Sequence, residues 1–230
     1  MFDSEINMVV SFLKDVEGIR IQPHTTDRWV SLADNSGQYS AKSVYDVLRG
    51  ETPDDVQDGT FEELWKLKVP NKISAFAWRL LRDKLPTRAN LRRRQIELED
   101  TTCPLCRRVE ETAGHLFFNC SKVLPVWWES LYWVSIVGVF LHNPKQHFLQ
   151  HVLGMPGGLQ ANRWKWWWMA LTWTIWRHRN NIIFSYDTFD ANKVLDDAVF
   201  LLWTWLRNLE KDFVTHYDQW SSNISTGFSQ

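Results

Sequence analysis

Three cysteines and one histidine form the sharpest chemical pattern in this chain. Cys103-Pro104-Leu105-Cys106 is followed by His115 and Cys120, a C-x2-C-x8-H-x4-C spacing. Two cysteines two residues apart can point both thiolates at one ion from a tight turn, and a histidine and a cysteine from a following short helix can close the tetrahedron. Three sulfurs and an imidazole suit zinc, whereas magnesium and calcium prefer oxygen. Four protein ligands leave no open position for a catalytic water, so the pattern predicts a structural zinc site. All three cysteines lie within this cluster, and an odd number is not a disulfide framework. The alternative is a set of buried, unligated thiols.

A second pattern is electrostatic. Between residues 65 and 94, Lys66, Lys68, Lys72, Arg79, Arg82, Lys84, Arg88, Arg92, Arg93 and Arg94 face a single acid, Asp83. A solvated surface normally mixes signs, so this stripe leans towards a phosphate-bearing or acidic partner. Lys72, Arg79, Arg82, Lys84, Arg88, Arg92, Arg93 and Arg94 are the candidate nucleic-acid contacts. Arg107 and Arg108 are set apart from them, because three thiolates on a divalent ion leave one negative charge to neutralise. An ordinary solvated helix surface is the competing reading.

Other constellations are weaker. His147 and His151 are four apart, with His142 nearby, but no glutamate completes an H-E-x-x-H arrangement, and surface or partly buried histidines are the preferred reading. Asp54-Asp55 and Asp196-Asp197 read as solvent-facing carboxylates. No phosphate-binding loop, dinucleotide fingerprint or glycine-flanked nucleophile is present, so no enzyme activity is expected.

These groups need elements to hold them. Ile6, Val9, Val10 and Leu13 predict a helix over 4–16. Trp29 to Leu32, the turn residues Asp34-Asn35-Ser36-Gly37, and Gln38 to Ser40 predict a small hairpin, with Ser40 capping a helix through Val44, Val47 and Leu48. Residues 50–60 read as an acidic linker. Pro70 then opens a helix whose apolar face is Ile73, Phe76, Ala77, Leu80 and Leu81, and Pro86-Thr87 opens another. Thr112 is placed to cap the helix carrying His115, and Asn119 to end it.

The rear of the chain is dominated by tryptophan, which occurs 15 times in 230 residues, nine of them from Trp164 onward. Arg163-Trp164-Lys165-Trp166-Trp167-Trp168 interleaves rings and bases as a single-strand platform would, but the rings also follow helical spacing, and core packing is preferred. Val194, Leu195, Ala198, Leu201, Leu202, Trp205, Leu206 and Leu209 give the next helix one broad apolar face, so an antiparallel pair is expected. A face of this kind can dock a protein partner or support a homodimer.

With 44% hydrophobic and 23% charged residues, the composition is that of a globular chain. The net charge of -1 conceals -6 over residues 1–60, +6 over 61–108 and -1 over 109–230. The longest apolar runs, 9 and 11 residues, are too short for a membrane span. No secretory signal is recognised, which places the protein inside the cell, in nucleus or cytoplasm with the nucleus favoured.

In order along the chain come Asp27-Arg28-Trp29, Gly37 to Tyr45, Leu64-Trp65-Lys66, Val69 to Ile73, Phe76 to Leu80, Leu85-Pro86-Thr87 and the cysteine cluster with His115-Leu116-Phe117. Over residues 27–135 this series resembles the zinc-binding domain of plant non-LTR retrotransposon reverse transcriptases. Residues 164–215, with Trp173 to Asn181, resemble the helical segment that follows it. The resemblance implies zinc on Cys103, Cys106, His115 and Cys120 and a role in handling the element's RNA or target DNA. Neither a polymerase palm nor a ribonuclease H domain is recognised. The expectation is therefore a mainly α protein: a small β-hairpin plus helices around a Cys3His zinc knuckle, then a Trp-rich antiparallel helix pair. Its expected divisions are 1–60, 61–135 and 136–230. Its expected role is that of a non-catalytic, retrotransposon-derived zinc protein binding RNA or DNA, the alternative being a protein-interaction or regulatory adaptor.

Overall fold

A computed structural model of the chain describes residues 3–17, 26, 30–32, 34, 36–49, 60–133, 141–153 and 159–229. The chain divides into two compact units, Met1–Gln57 and Asp58–Gln230. Of the linker expected over 50–60, residues 50–59 lie outside the described residues, as do the turn residue Asn35, residues 27–29 and the division at 135/136, while Thr60 is buried at the start of a helix.

In the first unit, α1 spans Asp3–Val16 and α2 spans Ala41–Arg49. Ser40 caps α2 as expected, its hydroxyl accepting from the Ser43 N–H at 3.0 Å. Among the described residues the hairpin does not form. Gly37 takes a left-handed φ of 69° and Asp34 accepts from the Ser36 N–H at 2.7 Å, so the turn is made. However, one backbone bond, Ser31 N–H to Gly37 C=O, is all that joins its arms among the described residues. Val30, Leu32 and Tyr39 remain exposed, so no apolar face rewards extending the ladder.

The second unit is built from α3 (Thr60–Lys66), α4 (Asn71–Leu81), α5 (Arg88–Arg93), a π-helical turn (His115–Asn119), α6 (Leu124–Trp133), α7 (Pro144–Leu153), α8 (Leu159–Ser185), α9 (Ala191–Leu209), α10 (Tyr217–Ser222) and α11 (Ile224–Ser229). Helix α4 starts directly after Pro70 and buries Ile73, Phe76, Ala77, Leu80 and Leu81. Thr87 caps α5, accepting from the Asn90 N–H. Buried Asn90 in turn donates to the carbonyls of Asp83 and Leu85, both at 2.9 Å. That pins the turn in which Asp83 takes a left-handed φ of 50°.

The long helix α8 has no glycine or proline to interrupt it and ends at Tyr186, whose φ of 54° turns the chain out of the helix. Asp190 then caps α9, accepting from the N–H groups of Asn192 and Lys193. Arg163 meets Glu210 and His178 meets Asp197, so α8 and α9 run antiparallel. Trp164, Trp166, Trp167, Trp168 and Trp176 of α8 are buried, as are Trp205 and Trp220. These rings join Phe117, Phe118, Trp127 and Phe148 in one core that runs from Leu64 to Phe228. The interleaved stretch 163–168 is therefore core. Its cations are buried too, Arg163 paired with Glu210 at 2.6 Å and Lys165 with Glu63 at 2.7 Å.

Glu63 accepts from both Lys165 and Lys66, and the Lys165 hydrogen bond above all holds its carboxyl down at about 2. Because the folded value lies below the ordinary 4.5, this pair's stabilisation is present above that ordinary value and is lost as pH falls towards 2. We expect stability, followed by circular dichroism in denaturant, to drop across that window in the native chain. Glu63→Gln should lower stability at pH 7 and flatten the drop; an unchanged pH slope would refute the assignment.

Candidate metal centre

The four predicted ligands converge. Cys103 Sγ, Cys106 Sγ, His115 and Cys120 Sγ offer ligand atoms that all lie within 4.8 Å of one another. The β pairing expected near residue 30 is instead found here, as an antiparallel bridge between Thr102 and Glu110. Cys103 N–H donates to Val109 C=O at 2.7 Å and Glu111 N–H to Thr101 C=O at 3.0 Å, closing a short loop that carries both Cys103 and Cys106. Arg107 N–H reaches back to Cys103 C=O at 2.7 Å, and Arg107 itself adopts a left-handed φ of 53°.

The second half of the tetrad comes from a capped turn. Thr112 caps it, its hydroxyl accepting from His115 N–H at 3.1 Å. The π-helical turn that follows buries Leu116, Phe117 and Phe118, which anchors His115 from below. Asn119 ends the turn and donates to Gly114 C=O at 3.1 Å. Gly114 has no side chain to spare, because a Cβ there would collide with the carbonyl of His142. Cys120 then leaves in an extended conformation (ψ 130°) and its carbonyl receives the N–H groups of Val123 and Leu124, leading into α6.

The donor set fits zinc by type, and two of its separations lie near those that a tetrahedral zinc would impose. For ligands at zinc–sulfur and zinc–nitrogen bond lengths, tetrahedral geometry puts sulfurs about 3.8 Å apart and sulfur about 3.6 Å from nitrogen. The Cys103–Cys120 sulfurs lie 4.0 Å apart, and Cys106 Sγ lies 3.3 Å from His115 Nε2. Without an ion these groups share protons. The Cys120 sulfur and burial push the Cys103 thiol up to about 12, while the same hydrogen bond lowers Cys120. Hydrogen bonds to Cys103, then Cys106, raise His115. A metal would displace those protons. Cys103 and Cys120 are fully buried, and Arg107 and Arg108 stand exposed beside them.

The basic stripe is less uniform in space than along the chain. Arg88 pairs with Asp100 and also donates to Thr102 C=O, Arg92 pairs with Glu110 at 2.8 Å, and Arg93 pairs with Asp83 at 2.7 Å. Two of those acids lie outside the 65–94 window, so counting charge along the sequence missed them. Arg82 rests 5.0 Å from the Phe61 ring and 5.4 Å from that of Trp78. Arg94 donates to Lys84 C=O. Lys72, Arg79, Lys84 and Arg94 are exposed and meet no carboxylate among the described residues.

His142 and His147 do not join a metal group among the described residues, and the side chain of His151 lies outside them. His147 is not at the surface: it is fully buried, stacks on Phe118 at 4.1 Å and accepts from Trp168 Nε1 at 3.1 Å. Asp197 pairs with buried His178 at 2.9 Å, whereas Asp196 faces solvent.

The structure also identifies two residues that the sequence did not single out. Glu111, the residue after the Thr102–Glu110 bridge, is fully buried and takes Arg179 of α8 in a two-bond grip at 2.6 and 2.7 Å. The same carboxylate accepts from the Arg88 N–H at 2.8 Å, one of the amides that the start of α5 cannot satisfy internally. Arg179 also lies 4.7 Å from the Trp176 ring. Thus one carboxylate ties the cysteine loop to α5 and α8.

Comparison with known proteins agrees with this geometry. Residues 39–127 match the family described as zinc-binding in reverse transcriptase. An Arabidopsis thaliana protein named "Putative ribonuclease H protein" is 26% identical over 159 residues, 69% of this chain and 25% of that protein. The match thus spans about a quarter of the relative's length. No solved structure matches the chain. Residues 39–127 thus carry the match to a zinc-binding domain of reverse transcriptase, and the Cys3His group lies within the matched segment.

Proposed function

We propose that this chain, whose residues 39–127 match a reverse transcriptase zinc-binding domain, is a retroelement-derived, non-catalytic protein that binds RNA or DNA through its basic helices. Zinc on Cys103, Cys106, His115 and Cys120 supplies a fold lock, with the four donors filling a tetrahedron. The loop then holds Glu111 where it fixes α5 and α8. The protein acts inside the cell, where a zinc thiolate site stays reduced. No described helix is long and apolar enough to cross a membrane.

The observation that carries the nucleic-acid reading is the group of exposed cations, Lys72, Arg79, Lys84 and Arg94, that no described carboxylate neutralises. About four phosphate contacts predict an affinity that falls roughly 50- to 150-fold between 50 and 200 mM salt. Fluorescence anisotropy with mixed-sequence oligonucleotides measures this. Binding that ignores salt, or no binding at micromolar protein, would sink the reading.

A second reading, a protein-interaction or regulatory adaptor, draws on exposed aromatics of α6 and α9. Trp128 is 58% and Tyr132 80% exposed, and Phe200 is exposed against Trp203 and Tyr217. It predicts a partner or homodimer that is lost on Trp128→Ala or Phe200→Ala. A monodisperse monomer that captures no protein would speak against it.

A further inference from the structure

We propose that the nucleic acid is engaged as a single strand on the shared outer face of α4 and α8, where Trp173 stacks a base and Lys72, Arg79 and Arg177 meet its phosphates. This rests on the nucleic-acid reading above, and it moves the seat away from α5 and onto a helix outside the basic stripe.

The argument begins with charge. Helix α4, with 11 residues, and helix α8, with 27, contain no aspartate or glutamate between them. Helix α8 carries four cations, and three of them are buried against carboxylates from elsewhere: Arg163 on Glu210, Lys165 on Glu63 and Arg179 on Glu111. Arg177 is the exception. It is exposed and has no ion pair or hydrogen bond among the described residues. Lys72 and Arg79 of α4 likewise meet no described carboxylate, and they lie seven residues apart on the solvent side of that helix. The other three cations of α8 are paired and buried, whereas Arg177, Lys72 and Arg79 are exposed and meet no carboxylate among the described residues.

The ring between them is the second observation. Trp164, Trp166, Trp167, Trp168 and Trp176 of α8 are buried, whereas Trp173 is only partly buried. Its indole is held edge-on by Phe76 of α4 at 5.2 Å, so it is a fixed surface rather than a loose side chain. Lys72 Nζ lies 5.9 Å from the ring centroid, and Arg177 follows Trp173 at i+4, the neighbouring position on the same helix face. A held ring beside cations that no described carboxylate neutralises is the arrangement that binds an unpaired base and its backbone. A duplex keeps its bases stacked and offers this face only phosphates, so the ring selects single strands.

Anisotropy titrations of the zinc-loaded full chain test the proposal, using a mixed-sequence 20-nucleotide single strand and the matching duplex. The single strand should bind about tenfold or more tighter than the duplex. Trp173→Leu should remove most of that preference, and Lys72→Glu/Arg79→Glu/Arg177→Glu should weaken single-strand binding more than Arg92→Glu/Arg93→Glu does. Arg177→Ala, which touches no core contact, should itself weaken single-strand binding several-fold and serves if Trp173→Leu fails to fold. Strong binding lost with Arg92 and Arg93 but indifferent to Arg177 would overturn this placement while leaving nucleic-acid binding intact. No binding of either oligonucleotide would overturn both readings. Displacement of the strand by polyglutamate as readily as by unlabelled oligonucleotide would show instead a face for acidic protein segments.

Discussion

Replacing Cys103 by serine is expected to unfold the second unit at ambient temperature. Structural zinc contributes on the order of 10 kcal/mol in small modules, and a whole domain is stable by about 5–15 kcal/mol. Cys103 is fully buried, and its backbone closes the loop through Val109 and Arg107. The substitution therefore removes a ligand and leaves a hydroxyl in the core. The π-helical turn would lose its tether at the same time, and that turn places Phe117 and Phe118 against Trp176, Trp127 and Trp168. Near-ultraviolet circular dichroism, dominated by these packed indoles, should collapse in Cys103→Ser. Arg108→Ala, exposed beside the same loop, should change stability by no more than about 0.5 kcal/mol. If Cys103→Ser kept a native spectrum and a native melting transition, the lock assigned to this site would be absent.

The second large effect is expected at Glu111. Removing one partner of a buried pair costs about 3–5 kcal/mol, because the remaining charge is left without compensation. Glu111 is fully buried and Arg179 nearly so, with 5% of its side chain exposed, so Glu111→Ala strands the guanidinium and also orphans the Arg88 N–H. Replacing both charges, as Glu111→Gln/Arg179→Met, should recover much of the loss, since the amide oxygen can still accept from Arg88. Urea unfolding of the two variants separates the cases. Equal destabilisation in the single and double variants would mean that the ion pair is not what matters there.

Some of this fold was legible along the chain because its causes are local. The apolar face of α4, the Ser40, Thr87 and Thr112 caps and the broad face of α9 follow from spacing within a few residues. The Cys3His group was legible because a knuckle needs its cysteines close in sequence. Pairings across long separations left no such trace. Glu111 and Arg179 are 68 residues apart and Glu63 and Lys165 are 102 apart, and each residue alone looks like an ordinary surface charge. The hairpin misled for the opposite reason. Its turn residues do make the turn, but a turn fixes only a reversal of direction, and no buried face extends the pairing. The basic stripe misled in part because Asp100 and Glu110, which answer Arg88 and Arg92, come from the cysteine loop and the residue just before it rather than from the stripe itself.

The most direct test of the account is the metal content of the purified chain, measured by elemental mass spectrometry before and after exposure to a strong chelator. The account predicts about one zinc per chain, bound by the Cys3His group, and loss of the near-ultraviolet signal once it is withdrawn. A chain that purifies without near-stoichiometric zinc yet holds its packed aromatic core would contradict it.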